Sequence, residues 1–212
     1  KTLREHYKSI GRYNAKVDPI VTTLPNNRAE ITLEIDEDDT AKLRSVTFNG
    51  NEAISSSKLQ EQMELQPDSW WKLWGNKFDG SQFDKDIQAI QDYYQNNGYA
   101  KARVTKTDVQ LNEEHTKADV TIDVSEGEKY NLSSARIVGN LGGMADELQP
   151  LLGELHLNDT FSRADVQNVE SLIKDKLGER GYGSATVNTV PTFDDANKTL
   201  ALTFVVDAGR RL

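Results

Sequence analysis

The chain has 212 residues, no cysteine and a formal net charge of −9 at pH 7. That charge is a poor match for duplex nucleic acid, whose binding rests on Lys and Arg neutralising phosphates, and the missing cysteine excludes thiol catalysis and disulfides. The composition, 36% apolar and 28% charged, supports packed cores, and no run of about 18 apolar residues is present to cross a membrane as a helix.

The opening KTLREHYKSI reads as the interior of a helix, with Leu3, Tyr7 and Ile10 on one face. The chain is therefore expected to be a piece of a longer protein, with any targeting segment upstream. Gly11 is the predicted helix stop. A strand follows, with Ala15, Val17, Pro19 and Val21 on one parity. Leu24 to Asn27 supplies a turn. Ile31, Leu33 and Ile35 then alternate with polar residues, the pattern of a half-buried strand. Glu37 to Asp39 is an acidic link, read as solvated.

The next stretch carries a complete set of elements. Leu43 to Phe48 is a short strand ending at Asn49-Gly50-Asn51. A helix is predicted from about Ser55 and buries Leu59 and Met63. The loop QPDSWWKLWGNKFDG follows. A second helix is predicted from Ser81 as N-cap, with Asp84 three residues on. Phe83, Ile87, Ile90 and Tyr94 form its apolar stripe, and Gly98 stops it. Two strands follow, at about 101–111 and 117–124, joined by a turn at 112–116. Ala118, Val120, Ile122 and Val124 share a face of the second.

Residues 129–212 repeat that order. A strand at 132–138 ends at Gly139-Asn140, and a helix near 144–152 presents Met144, Leu148 and Leu151. Ser162 and Asp165 repeat the Ser-x-x-Asp signal, and Val166, Val169, Ile173 and Leu177 make the stripe of the second helix. Two strands, at 184–190 (ending at Pro191) and 199–206, flank a turn at 194–197. Leu200, Leu202, Phe204 and Val206 alternate along the last.

Gly11, Gly98 and Gly181 are spaced 87 and 83 residues apart, and each is followed at the same offset by Ala-x-Val: Ala15/Val17, Ala102/Val104 and Ala185/Val187. The repeating unit is strand, helix, helix, strand, strand. The fold class is α+β, each unit packing two helices on one face of a three-stranded mixed sheet. The division is an incomplete unit at 1–40 and complete units at 41–128 and 129–212.

This order resembles tandem domains of the POTRA (polypeptide-transport-associated) family over the whole chain. The residues that carry the resemblance are HYKSIGRYNAKV (6–17), TTLPNNR (22–28), DSWWKLWGNKF (68–78), DYYQNNGYAKA (92–102), VGNLGG (138–143) and DDANKTLALTFVVDAGRR (194–211). The resemblance implies five such domains before a C-terminal barrel, of which this chain would hold the end of the second, the third and the fourth. It implies a non-enzymatic scaffold in the periplasmic part of a Gram-negative outer-membrane protein. The partners it implies are unfolded outer-membrane β-barrel proteins, a BamB-like lipoprotein associated with the middle unit, and the rest of the outer-membrane assembly (BAM) complex. No cofactor is implied. The POTRA arm of a TamA-like transporter or of a two-partner secretion pore is the same-class alternative, against which the loop motifs argue. A periplasmic hydrolase is the different-class alternative and needs paired carboxylates in one pocket. A purely structural spacer would bind nothing.

The resemblance also implies binding of extended peptide by β-augmentation. Proline cannot donate to a ladder and blunts edges. Pro19 and Pro191 therefore guard the first and last units, while no proline lies between Gly98 and Leu111. Ala102 and Val104 share one parity, Val109 and Leu111 the other, so the phase slips between Thr105 and Asp108, as a bulge or strand end would produce. The candidate partner-binding site is Val104, Thr105, Lys106, Thr107, Asp108, Val109, Gln110 and Leu111. The competing reading is an edge guarded by Lys101, Arg103 and Lys106.

Trp70, Trp71 and Trp74 are a second candidate contact, or else rings folded back over the helices. His6, His115 and His156 fall in three different units and form no catalytic pattern. Neither Asp36 to Asp39 nor Asp194-Asp195 has calcium-loop spacing, and GNLGG lacks phosphate-loop spacing.

Overall fold

Alternation of apolar and polar residues becomes strand, and the 3.6-residue stripes become helix, in the computed structural model, which describes residues 5–6, 16–24, 28–36, 41–67 and 77–211. The predicted turn at 25–27, the acidic link at 37–39, Trp70, Trp71 and Trp74 lie outside the described residues. So does the predicted first helix with its stop, apart from the helical Glu5 and His6.

Strands β1 (Lys16–Leu24) and β2 (Arg28–Asp36) pair antiparallel as a sheet of two. Pro19 faces Leu33 and Val21 faces Ile31, so the apolar residues share one face. That face is exposed, with Val21 at 63% and Ile31 at 65%. The expected half-buried strand is therefore corrected. Alternation dictates which residues share a face, but burial needs a layer packed on it, and no described residue supplies one.

The described chain forms two compact units, one of Lys1–Gln91 with Arg103–Ser125, the other of Asp92–Ala102 with Glu126–Leu212. The first holds β3 (Lys42–Asn49), α1 (Ser56–Gln60), most of α2 (Gly80–Asn96), β4 (Arg103–Leu111) and β5 (Lys117–Ser125). Its sheet runs β3-β5-β4, with β3 parallel and β4 antiparallel to the central β5. The predicted face of β5 is buried throughout, as are Leu59, Met63, Phe83 and Ile90 from the helical side. Burying these side chains against one face of the sheet is what holds the layers together.

The predicted cap of α2 is corrected. Helix α2 starts at Gly80, and the Asp79 carboxylate accepts from the backbone N–H groups of Ser81 and Gln82 at 2.8 and 3.3 Å. The Ser81 hydroxyl is itself a donor to Asp79. A charged acceptor at the helix N-terminus outcompetes a hydroxyl two residues inside it. Asp86 is a second feature that the stripe pattern passes over. It is 2% exposed on the apolar face of α2, and its carboxylate accepts from the backbone of Glu64 and Leu65 and from the Gln82 amide. A buried carboxylate persists only with such donors.

The second unit repeats the plan with β6 (Asn131–Asn140), α3 (Ala145–Leu148), a 3-10 turn (Gln149–Glu154), α4 (Arg163–Glu179), β7 (Thr186–Asp194) and β8 (Thr199–Asp207). Its sheet runs β6-β8-β7. Ser162 caps α4 as predicted. The single helix expected at 144–152 is instead one α turn followed by 3-10 geometry, where Pro150 removes a helical donor. Strand β7 continues through Pro191 to Asp194, because an edge strand tolerates a missing N–H.

Two irregularities repeat at one spacing. The first strand of each sheet is bulged, at Arg44 and at Ser133. Six residues after each bulge comes a glycine with positive φ, Gly50 or Gly139. A Cβ there would lie 2.2 Å from the carbonyl oxygen of Val124 or Val206, so the close approach of the backbones requires glycine.

Candidate partner edge

Strand β4 has β5 on one side and no described strand on the other. Its register explains the slipped phase. Val104 faces Val124 and Lys106 faces Asp123, leaving Thr105 as the extra residue of a bulge. Counting resumes beyond it, so Thr107, Val109 and Leu111 face Ile122, Val120 and Ala118 on the helix side. Lys106, Asp108 and Gln110 lie on the opposite face, where the Gln110 amide donates to Asp108 at 3.0 Å.

The eight predicted residues do not offer equal backbone. The Val104 N–H already donates to the side-chain oxygen of Gln91 on α2, at 3.0 Å. Thr105 turns its hydroxyl onto the Asp123 carbonyl at 3.1 Å, so the bulge is pinned from the β5 side. The stretch open to a ladder therefore begins at Lys106 and runs to Leu111. An open groove beside it is lined by Ile87 of α2 and by Val104, Thr105, Lys106 and Thr107. Sequence reasoning missed the Gln91 contact, because a side chain that crosses from helix to strand leaves no periodic trace.

Of the three cations read as guards of this edge, Lys101 is committed elsewhere. Its ammonium lies 2.8 Å from Asp195 and 4.4 Å from the centre of the Phe193 ring, within the second unit. Asp195 also accepts from the Tyr130 hydroxyl at 2.5 Å. Lys101 and that hydroxyl together hold the Asp195 carboxyl below the usual carboxylate range. Asp194 accepts from the Asn197 backbone and amide, so this acidic pair is spent on the turn and on Lys101. On the outer face of the first sheet, the Arg44 guanidinium and the Ser45 hydroxyl hold the Asp119 carboxyl down to about 2.

His115 sits in a turn with φ +55°, and His156 lies 3.9 Å from Asp165. No group of three or more metal-ligating side chains occurs among the described residues.

Two helices on a three-stranded mixed sheet, repeated in tandem with no described strand beyond β4 or β7, define a modular α+β repeat. The family described as "POTRA: Surface antigen variable number repeat" matches residues 41–127 and 130–209, and the chain belongs to this family. Among particular proteins, the chain is similar to the outer membrane protein assembly factor BamA of Neisseria meningitidis serogroup B. The two are 32% identical over 99% of this chain and 27% of that protein. It is 29% identical to BamA of Buchnera aphidicola, over 100% of this chain and 34% of that one. The chain thus spans about a quarter to a third of the length of these relatives. The crystal structure of Haemophilus influenzae BamA POTRA3-5 superposes with a TM-score of 0.74 at 75% identity, covering 81% of this chain and 67% of that one.

Proposed function

We propose that the chain is part of the periplasmic arm of a Gram-negative outer-membrane protein, where it serves as a non-enzymatic scaffold in the assembly of β-barrel proteins. The names of the curated relatives and the likeness to a BamA fragment support this reading. We read the chain as an incomplete repeat at 1–40 and complete repeats at 41–128 and 129–212, a division supported by the spans of the family match.

Within the Val104–Leu111 edge, the middle repeat receives its partners along Lys106–Leu111. The observation that carries this reading is the edge position of β4 together with its freedom from proline, in contrast to Pro191 on the corresponding β7. Unfolded outer-membrane proteins add a strand there. Four or five ladder bonds at about 0.5–1.5 kcal/mol net each give weak binding with little sequence preference. That suits a surface that must handle many clients. A BamB-like lipoprotein docks on the same repeat as part of the BAM complex and competes for this edge.

Lys106→Pro and Asp108→Pro test the reading, with near-UV circular dichroism to show that each variant is folded. Titration with a peptide copied from an outer-membrane β-strand should shift the amide resonances of 106–111 in the parent chain and not in the variants. The same peptide with alternate backbone N-methyl groups should fail to bind. Unchanged binding of either variant, or of the methylated peptide, overturns strand addition.

A further inference from the structure

In the second unit a cavity of about 140 Å³ lies between the N-terminal half of α4 and the edge strand β7. Its apolar wall is built by Ala100, Phe161, Val166, Pro191, Phe193 and Leu202. Gln95, Gln167 and Thr189 complete the lining, so the lining as a whole is mixed, and the charged Arg163 and Glu170 stand at its margin. Glu170 is engaged, since the Thr189 hydroxyl donates to it at 2.5 Å and ties α4 to β7. Arg163 lies seven residues earlier, two turns or about 10 Å along the helix. It has no carboxylate partner among the described residues.

An apolar cavity of about 150 Å³ is enough to hold benzene. This cavity is therefore the size of one aromatic ring. Pro191 lines it and has no N–H, so a strand added to β7 would lose its ladder at this level. A chain passing along β7 gains more here from a side chain pushed inward than from backbone pairing. Glu170 keeps its negative charge at the other end, so only the end beside Arg163, which has no carboxylate partner among the described residues, favours an anion next to that side chain.

We propose that this cavity receives the ring of one Phe or Tyr from an extended polypeptide, and that an Asp or Glu beside it pairs with Arg163. The site lies in a different unit from β4 and needs no ladder bonds, so it stands or falls independently of strand addition.

The test is an NMR titration of the 212-residue chain with a capped peptide carrying Phe flanked by Glu. Shifts should centre on Ala100, Val166 and Thr189. Replacing the peptide's Phe by Ala should weaken binding at least tenfold. Ala100→Phe fills the cavity from within and should abolish these shifts while the β4 resonances still respond to their own ligand. Arg163→Glu should weaken the Glu-flanked peptide about threefold to fivefold and favour a Lys-flanked one by a similar factor. That variant should fold, because an acidic residue suits the first turn of a helix. Equal binding of the Phe and Ala peptides, or binding indifferent to Arg163→Glu, overturns the proposal.

Discussion

Asp86 shows how much one residue can carry in a small unit. Its carboxylate satisfies two backbone N–H groups, those of Glu64 and Leu65, and thereby pins the chain after α1 to the face of α2. Asp86→Ala leaves both donors without a partner, at a cost of about 2–4 kcal/mol. Asp86→Asn keeps one acceptor and should cost about half as much. Midpoints of urea unfolding for the two variants check this, and equal loss from both would show that only the charge matters. The position was partly legible. Asp86 falls three residues after Phe83 and four before Ile90, on the apolar stripe, where a carboxylate needs donors. Which donors it finds was not legible, because Glu64 and Leu65 are about twenty residues away and meet it only in the packed unit.

At the scale of the element, the bulge in β4 is the feature most directly written in the sequence. Val104 lies on one parity and Val109 and Leu111 on the other, and a strand can bury both sets only by inserting one residue. The register places that residue at Thr105. Deleting Thr105 should leave every apolar residue facing inward, with a stability change within about 1 kcal/mol. Deleting Gln110 instead puts Val109 and Leu111 on opposite parities, so one of them must turn to solvent, and should cost about 1–3 kcal/mol of lost burial. Thermal unfolding of the two deletions separates these outcomes, and equal destabilisation would refute the register argument. Helix starts were less legible. Asp79 and Ser81 are both cap residues by type, and the choice between them depends on where the preceding chain is held. Phe78 is fixed by its N–H donating to the Ala41 carbonyl, which sets Asp79 at the helix entrance.

Across the whole molecule, several carboxylates are held below their usual range. Arg44 acts on Asp119, the Ser81 hydroxyl on Asp79, the Asn197 amide on Asp194 and Lys101 on Asp195. In the unfolded chain an Asp titrates near 3.9. Between that value and the lower folded values the unfolded state binds more protons, so stability rises with pH there. The contribution is complete above about pH 5 and is lost as the pH falls toward 2. The melting temperature should therefore fall between pH 5 and pH 2, and Asp119→Asn should make that fall shallower. These groups are largely solvent-accessible, so added salt should shrink the effect. A melting temperature that is flat across this range would contradict it.

The sequence alone determined the repeat, the element order, the buried faces of β5 and β8, the bulge in β4 and the family. These follow from periods of 2 and 3.6 and from local chemistry, which need no knowledge of distant residues. Only the tertiary structure decided that Gln91 occupies the Val104 N–H, that Thr105 is pinned to the β5 side, and that Lys101 belongs to Asp195 rather than to the edge. Only the structure showed that α4 and β7 leave room for a ring between them. Each of these is a meeting of groups from separate elements, set by how the layers close, and a one-dimensional pattern holds no record of it.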